Sequence, residues 1–149
     1  MTRCDSEPYM NSTSGCVYSQ VPGFFALSAA PGSDVEDAAK FYRDAQDGLA
    51  NHPGRFPNGV PLHRTTDTSA NRAVSAPECD RRFGSPRPSG YDCDEYPFAA
   101  TREGAATGNF DLRLVPSEQN KGVGRMLGSQ FYLYNRILDG DAFYVYIYN

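Results

Sequence analysis

The chain has 149 residues and a formal charge of −4, with fourteen basic against eighteen acidic side chains. That length suits one domain around a single core, and 40% apolar with 21% charged residues is a globular balance that excludes wholesale disorder. No apolar run approaches the roughly 18 to 20 residues of a membrane-spanning helix, and the acidic total argues at first sight against a nucleic-acid partner.

Residues 15–28 are β-branched and aromatic and predict strand, interrupted at Pro22-Gly23. Ser33 is the expected N-cap of a helix over residues 34–49, with acids crowding its first turn. Its Val35, Ala38, Ala39, Tyr42, Ala45 and Leu49 recur at helical spacing. From Asn51 to Tyr91 the chain holds six prolines and no lasting periodicity, so a long irregular loop region is expected there. Residues 110–115 alternate as a strand, apolar positions return at helical spacing over 118–138, and Asp139-Gly140-Asp141 turns the chain into a final β-prone strand, AFYVYIY. Alternation sets Phe143, Val145 and Ile147 of that strand against Tyr144, Tyr146 and Tyr148. The order predicts an α+β fold over residues 1–149: a small antiparallel sheet, packed helices and a long loop region.

Four cysteines stand at positions 4, 16, 79 and 93, with no C-x-x-C pair and no histidine close by, so structural zinc is not expected. Of the three possible connectivities the simplest pairs Cys4 with Cys16 and Cys79 with Cys93, each local bridge giving roughly 3 kcal/mol in the chain-entropy model. Four buried free thiols are the alternative. Disulfides imply export, yet the N-terminus lacks a charged n-region and an apolar h-region. The expectation is a mature domain, or the C-terminal piece of a longer secreted chain, behind an added Met1.

Three clusters carry candidate chemistry. Asp94 and Glu95 are adjacent in the string CDEYPFA, followed by Glu103-Gly104, and carboxylates this close repel unless protons or a hard cation such as Mg²⁺ neutralise them. A solvated surface pair is the plainer reading. In VPSEQNKGVG a strand ends and a helix begins at Ser117, where Asn120 offers a neutral carbonyl ligand and Lys121 a phosphate contact. Two glycines in that first stretch weaken the helix by roughly 1 kcal/mol each, which suggests close approach of a backbone or ligand. The third cluster is Leu62-His63-Arg64 with Asn71-Arg72 beyond, where a histidine beside arginines can act as a general base. Together these are the parts of a one-metal phosphodiesterase.

The string CDEYPFA, the Glu-Gly step, the strand into VPSEQNKGVG and LDGDAFYVYI resemble, in that order, the NucA/NucB-type bacterial deoxyribonucleases. The likeness covers roughly the last 90 residues. The first 50 resemble the extension of a cysteine-containing, actinobacterial branch. Tyr96-Pro97-Phe98 stands where other members have Trp-Pro-Met, and Gly104-Ala105 where they have Gly-Gly, both conservative in shape. The resemblance implies a secreted, non-specific, divalent-metal-dependent DNA endonuclease with a core like the ββα-metal nucleases. By position Asp94 and Glu95 match its acidic pair, Glu103 its Glu-Gly glutamate, Asn120 its helix-start asparagine and His63 its histidine. On chemical grounds Asp94 and Asn120 would hold Mg²⁺ or Mn²⁺, Glu95 or Glu103 would ligate it directly or through water, and His63 would be the general base. Arg64, Arg72 or Lys121 would stabilise the developing phosphate charge, and Arg81, Arg82 and Arg87 would meet DNA.

Two alternatives accompany this reading: the same domain as the toxin module of a secreted effector with a cognate immunity protein, and a non-enzymatic, aromatic-rich extracellular binding module. A glycosidase pair of Asp94 and Glu118 would leave the Asn and His unused. A monomer without membrane attachment is expected in each case. The distribution of charge favours the nuclease over what the total suggests. Residues 1–50 hold three basic and seven acidic side chains, which is the whole net charge, whereas Arg55–Tyr91 carries six arginines against Asp67, Glu78 and Asp80.

Overall fold

The computed structural model describes residues 1–149. Strands β1 (Arg3–Asp5) and β2 (Gly15–Val17) form an N-terminal antiparallel hairpin in which Cys4 faces Cys16 across the ladder and is bonded to it. Next come β3 (Gly23–Ser28), α1 (Glu36–Gly48), β4 (Leu62–His63), α2 (Ser69–Phe83), β5 (Tyr91–Tyr96) and β6 (Asp111–Pro116). The chain continues through α3 (Ser117–Arg125), a π-helical stretch (Met126–Phe131), one last helical turn, α4 (Tyr132–Tyr134), and β7 (Ala142–Tyr148). This is the expected α+β class.

The last strand is the centre of the larger sheet. β7 pairs in parallel with β3 from Gly23↔Phe143 to Ser28↔Tyr148, and antiparallel with β4 at Leu62↔Phe143. Its alternation is the one read from the sequence. Phe143 and Val145 join Phe25, Leu27 and Leu62 in the core beneath the apolar stripe of α1, while Tyr146 and Tyr148 are exposed. On that outer face Phe24 stacks on Tyr144 at 5.7 Å, and Phe56 packs edge-on against both. The expected antiparallel pairing is found in the separate β5–β6 hairpin.

That hairpin divides two surroundings, because successive side chains of a strand point to opposite faces. Asp94 and Tyr96 face α1: the Tyr42 hydroxyl donates to Asp94 Oδ2, and Gln46 Nε2 donates to the Tyr96 hydroxyl at 2.9 Å. Cys93 and Glu95 face α2, where Cys79 completes the second disulfide. The two local bridges are therefore the connectivity present, and no cysteine is free.

The loop expected over 51–91 needs correction, since α2 occupies its middle. Its buried residues are Asn71, Ser75 and Cys79, spaced by four on one face, and Pro77 lies inside the helix. A helix that docks through an amide, a hydroxyl and a disulfide shows no apolar periodicity to read. Asn71 does much of the docking. Its Nδ2 donates to the Ala99 and Thr101 carbonyls, both at 2.8 Å, and its Oδ1 accepts from the Ala106 amide at 3.0 Å.

Helix ends also shift. α1 begins at Glu36 rather than at Asp34, and the Ser33 hydroxyl accepts from the Val35 amide within the preceding turn. The second predicted helix ends at Tyr134, because Arg136 takes a positive φ of 47° that ends helical geometry. Arg136 then grips the N-terminal hairpin, donating to the Asp5 carboxylate and to Thr13, while Arg3 donates to Asp141 at 2.6 Å.

Gly104 is required by the Asn71 dock: a Cβ there would lie 2.3 Å from Asn71 Nδ2. Gly104→Ala is expected to lose roughly 1–3 kcal/mol, as overpacking does, read as a lower midpoint in urea unfolding. Gly124→Ala, inside α3 with a Cβ that meets nothing within 4 Å, is the comparison and should unfold above the wild-type midpoint, by up to about 1 kcal/mol.

Candidate active site

A cleft of about 500 Å³ opens where β5, α2, α3 and the π-helical stretch meet, and Asp94, Glu95, Asn120, Arg64 and Arg72 all line it. Thr65, Thr66, Thr68, Gly124, Leu127 and Gly128 complete much of its wall. A second cleft of about 510 Å³ lies on the α2 side and shares Arg72, Glu95, Cys93 and Asn120 with the first. Those side chains stand on the ridge between the two.

Asp94 is 7% exposed. Burial pushes its carboxyl up to about 7, against the stabilising Tyr42 hydroxyl and Glu95 backbone N–H, the latter donating to Oδ1 at 2.8 Å. Burial also raises the Glu95 carboxyl, offset in part by the Ser75 hydroxyl and the Arg72 charge. Glu95 Oε2 is buried with no hydrogen-bond partner. An orphaned carboxylate oxygen beside a second carboxylate is a place for a cation or a proton. Asn120 Nδ2 donates to Asp92 at 3.1 Å, and Ser117 Oγ donates to the same carboxylate at 2.8 Å, holding Asp92 below the usual range.

His63 and Glu103 form a pair of their own. Glu103 Oε1 lies 2.6 Å from His63 Nδ1, and Oε2 accepts the His63 backbone N–H at 2.8 Å. A carboxylate on Nδ1 fixes the ring and leaves Nε2 for chemistry. Neither residue lines the first cleft, although the Glu103 charge is felt by Tyr132, which does. His52, the other histidine, has its Nδ1 2.7 Å from the Gln46 carbonyl.

The arginines divide sharply. Arg55 pairs with Asp47, Arg81 and Arg82 with Glu78, and Arg87 with Asp80. Arg64 and Arg72 have no carboxylate partner and line the first cleft, whereas Arg43 and Arg125, also without one, lie outside it. Arg87 reaches only the second cleft, and Lys121 is exposed beside Glu118, outside both.

The family profile described as Deoxyribonuclease NucA/NucB matches residues 52–146, more than half of the chain. The chain belongs to this family. No curated protein matches it. The NucA/NucB match takes in Asp94, Glu95, Glu103, Asn120, His63, Arg64 and Arg72. It leaves out Tyr42 and the N-terminal hairpin, whose Tyr9 also lines the cleft. Sequence reasoning assigned no site role to Tyr42, Tyr9, Ser75 or Asp92. Tyr42 reads as one more apolar position on the α1 stripe, and nothing local signals that its hydroxyl meets a carboxylate 52 residues away.

Asp94 makes stability depend on pH in a definite direction. Its carboxyl ionises near 3.8 when unfolded and about 7 when folded, so in that window the native protein keeps a proton that the unfolded chain has released. The Asp94 contribution to stability in a chelating buffer is therefore expected to fall as pH rises from 3.8 towards 7, against the lowered carboxylates such as Asp5, Glu78 and Asp92, whose contributions rise with pH. Thermal melts of wild type against Asp94→Asn across that window check it, the wild type losing stability relative to the asparagine variant as pH rises.

Proposed function

We propose that this protein is a secreted endonuclease that hydrolyses DNA phosphodiesters with one divalent cation and a histidine base. The observation that carries the reading is the joint placement of a buried carboxylate, Asp94, a half-buried one, Glu95, and the unpaired Arg64 and Arg72 in one cleft of a NucA/NucB family chain. Two disulfides favour an oxidising compartment, and no helix is long and apolar enough to cross a membrane.

The donor set fits a hard cation. No three His, Cys, Asp or Glu side chains converge into a complete cage, and Mg²⁺ is characteristically held by one or two carboxylates, with waters and substrate phosphate filling the remainder. Glu95, with its orphaned Oε2, would hold Mg²⁺ or Mn²⁺ with the Asn120 carbonyl as a neutral donor, and Asp94, whose oxygens accept from Tyr42 and the Glu95 backbone N–H, would reach the cation through water. Bound there, the cation would neutralise charge on the scissile phosphate. Arg72 and Arg64 contribute positive charge to the same cleft, which is the electrostatic part of phosphoryl catalysis. His63 and Glu103 lie outside the cleft lining, so His63 Nε2 would take the proton of the attacking water where bound DNA extends from the cleft towards that pair. The β5–β6 hairpin running directly into α3 is the element order that supports a ββα-metal relation.

Purified protein with supercoiled plasmid and Mg²⁺ or Mn²⁺ is expected to give nicked and linear products, and EDTA should stop the reaction. Absence of cleavage with every divalent cation tried, the fold being intact, would end this reading. Asp94→Ala and His63→Ala should each lose about 10²-fold or more in rate. A His63→Ala enzyme that cuts at the wild-type rate would take the histidine out of the mechanism.

A further inference from the structure

We propose that the N-terminal disulfide hairpin is a working part of the cleft, in which Tyr9 and Met10 position the Arg64 guanidinium against a phosphate of bound DNA. The proposal rests on the nuclease reading, because that reading supplies the phosphate. It adds a segment that lies wholly outside the family-matched residues 52–146.

Arg64 is 9% exposed and has no carboxylate partner, so the fold leaves a nearly buried positive charge without a direct counter-ion. Asp139 and Asp141 act on it only through space. Its guanidinium lies 4.6 Å from the Tyr132 ring centre and 5.1 Å from that of Tyr9. Nη1 donates to the Ile137 carbonyl at 2.6 Å and lies 3.3 Å from Met10 Sδ. Nε is buried without a partner. Nη2 is the one nitrogen that is neither bonded nor sealed, and Arg64 lines the cleft beside Thr65, Thr66 and Arg72. Rings hold a guanidinium plane without consuming its donors. Such an arrangement leaves the Nη2 edge free for an anion, and a phosphate oxygen is the anion that DNA presents.

The hairpin is anchored to hold this pose. Met10 is 1% exposed and is the one buried residue of an otherwise exposed hairpin tip, so it anchors the tip to the body of the protein. The Tyr9 hydroxyl accepts the Asp139 backbone N–H at 3.2 Å, which fixes its ring to the turn before β7. The Cys4–Cys16 bond, the Arg136–Asp5 pair and the Arg3–Asp141 pair tie down the strands behind the tip. Tyr9 is thus a positioning residue that acts through Arg64, with its ring as the working part.

Fluorescence anisotropy of a labelled DNA duplex in EDTA tests this without requiring turnover. Tyr9→Ala is expected to raise Kd roughly two- to fivefold, the scale of one cation–π contact. Tyr9→Phe, which keeps the ring but gives up the bond from the Asp139 N–H, should fall between wild type and Tyr9→Ala, and Cys4→Ser/Cys16→Ser should follow Tyr9→Ala. In Mg²⁺ Tyr9→Ala should raise KM and, because Arg64 also faces the charge that develops on the phosphate, lower kcat, with Tyr9→Phe changing both less. A Tyr9→Ala protein with wild-type Kd, or a Tyr9→Phe protein as weak as Tyr9→Ala, would overturn the proposal. The two Tyr9 variants keep both disulfides, so their comparison stands even where the double serine variant fails to fold. Wild-type protein that cuts no DNA removes the nuclease reading itself, whereas an active wild type with an unaffected Tyr9→Ala removes only the role of the hairpin.

Discussion

Two adjacent carboxylates in the middle of a packed domain are the constraint around which this fold is arranged. Taking a carboxylate out of water costs several kcal/mol unless hydrogen bonds or opposite charge offset it. Strand alternation sends Asp94 and Glu95 to opposite faces of β5, so a separate element must answer each. α1 answers Asp94 with the Tyr42 hydroxyl, and α2 answers Glu95 with Ser75 and Arg72. The compensation is incomplete. Asp94 remains raised to about 7, and one Glu95 oxygen has no partner. Residual strain of this electrostatic kind is what a bound cation would relieve.

The two flanking helices dock by different physics. α1 is held by its apolar stripe, with Ala38, Ala39, Phe41 and Tyr42 almost wholly buried under the sheet. α2 buries an amide, a hydroxyl and a disulfide sulfur, and each must find a specific partner. Hydrophobic burial tolerates small shifts, whereas the Asn71 bonds and the Cys79–Cys93 link set the distance and rotation of α2 against β5. Since α2 carries Arg72 and Ser75 to Glu95, that stricter docking lies where the site needs it. Gly104 belongs to the same device, giving Asn71 the space a side chain would fill.

Charge follows the same division between total and placement. The chain is acidic overall, and most arginines between positions 55 and 87 are neutralised by neighbouring carboxylates. What distinguishes the cleft is that Arg64 and Arg72 are left unpaired there. A surface built this way offers a local anion site without the broad basic field of a tight DNA binder, and its affinity for DNA should be modest and sensitive to salt.

The sequence by itself determined the α+β class, α1, the final strand with its two faces, and the family, because these rest on local periodicity and on ordered short motifs. Asp94, Glu95 and Asn120 were legible as site candidates for the same reason, and the structure brings them to one cleft. α2 was not legible, since a helix whose inward face is Asn71, Ser75 and Cys79 carries no hydrophobic period. Nor were the parallel β3–β7 pairing and the contacts of Tyr42 with Asp94 and of Tyr9 with Arg64, which join residues far apart in the chain. Only tertiary structure decided which arginines keep a free charge, because pairing depends on which carboxylate packing brings within reach, and local sequence does not encode that distance.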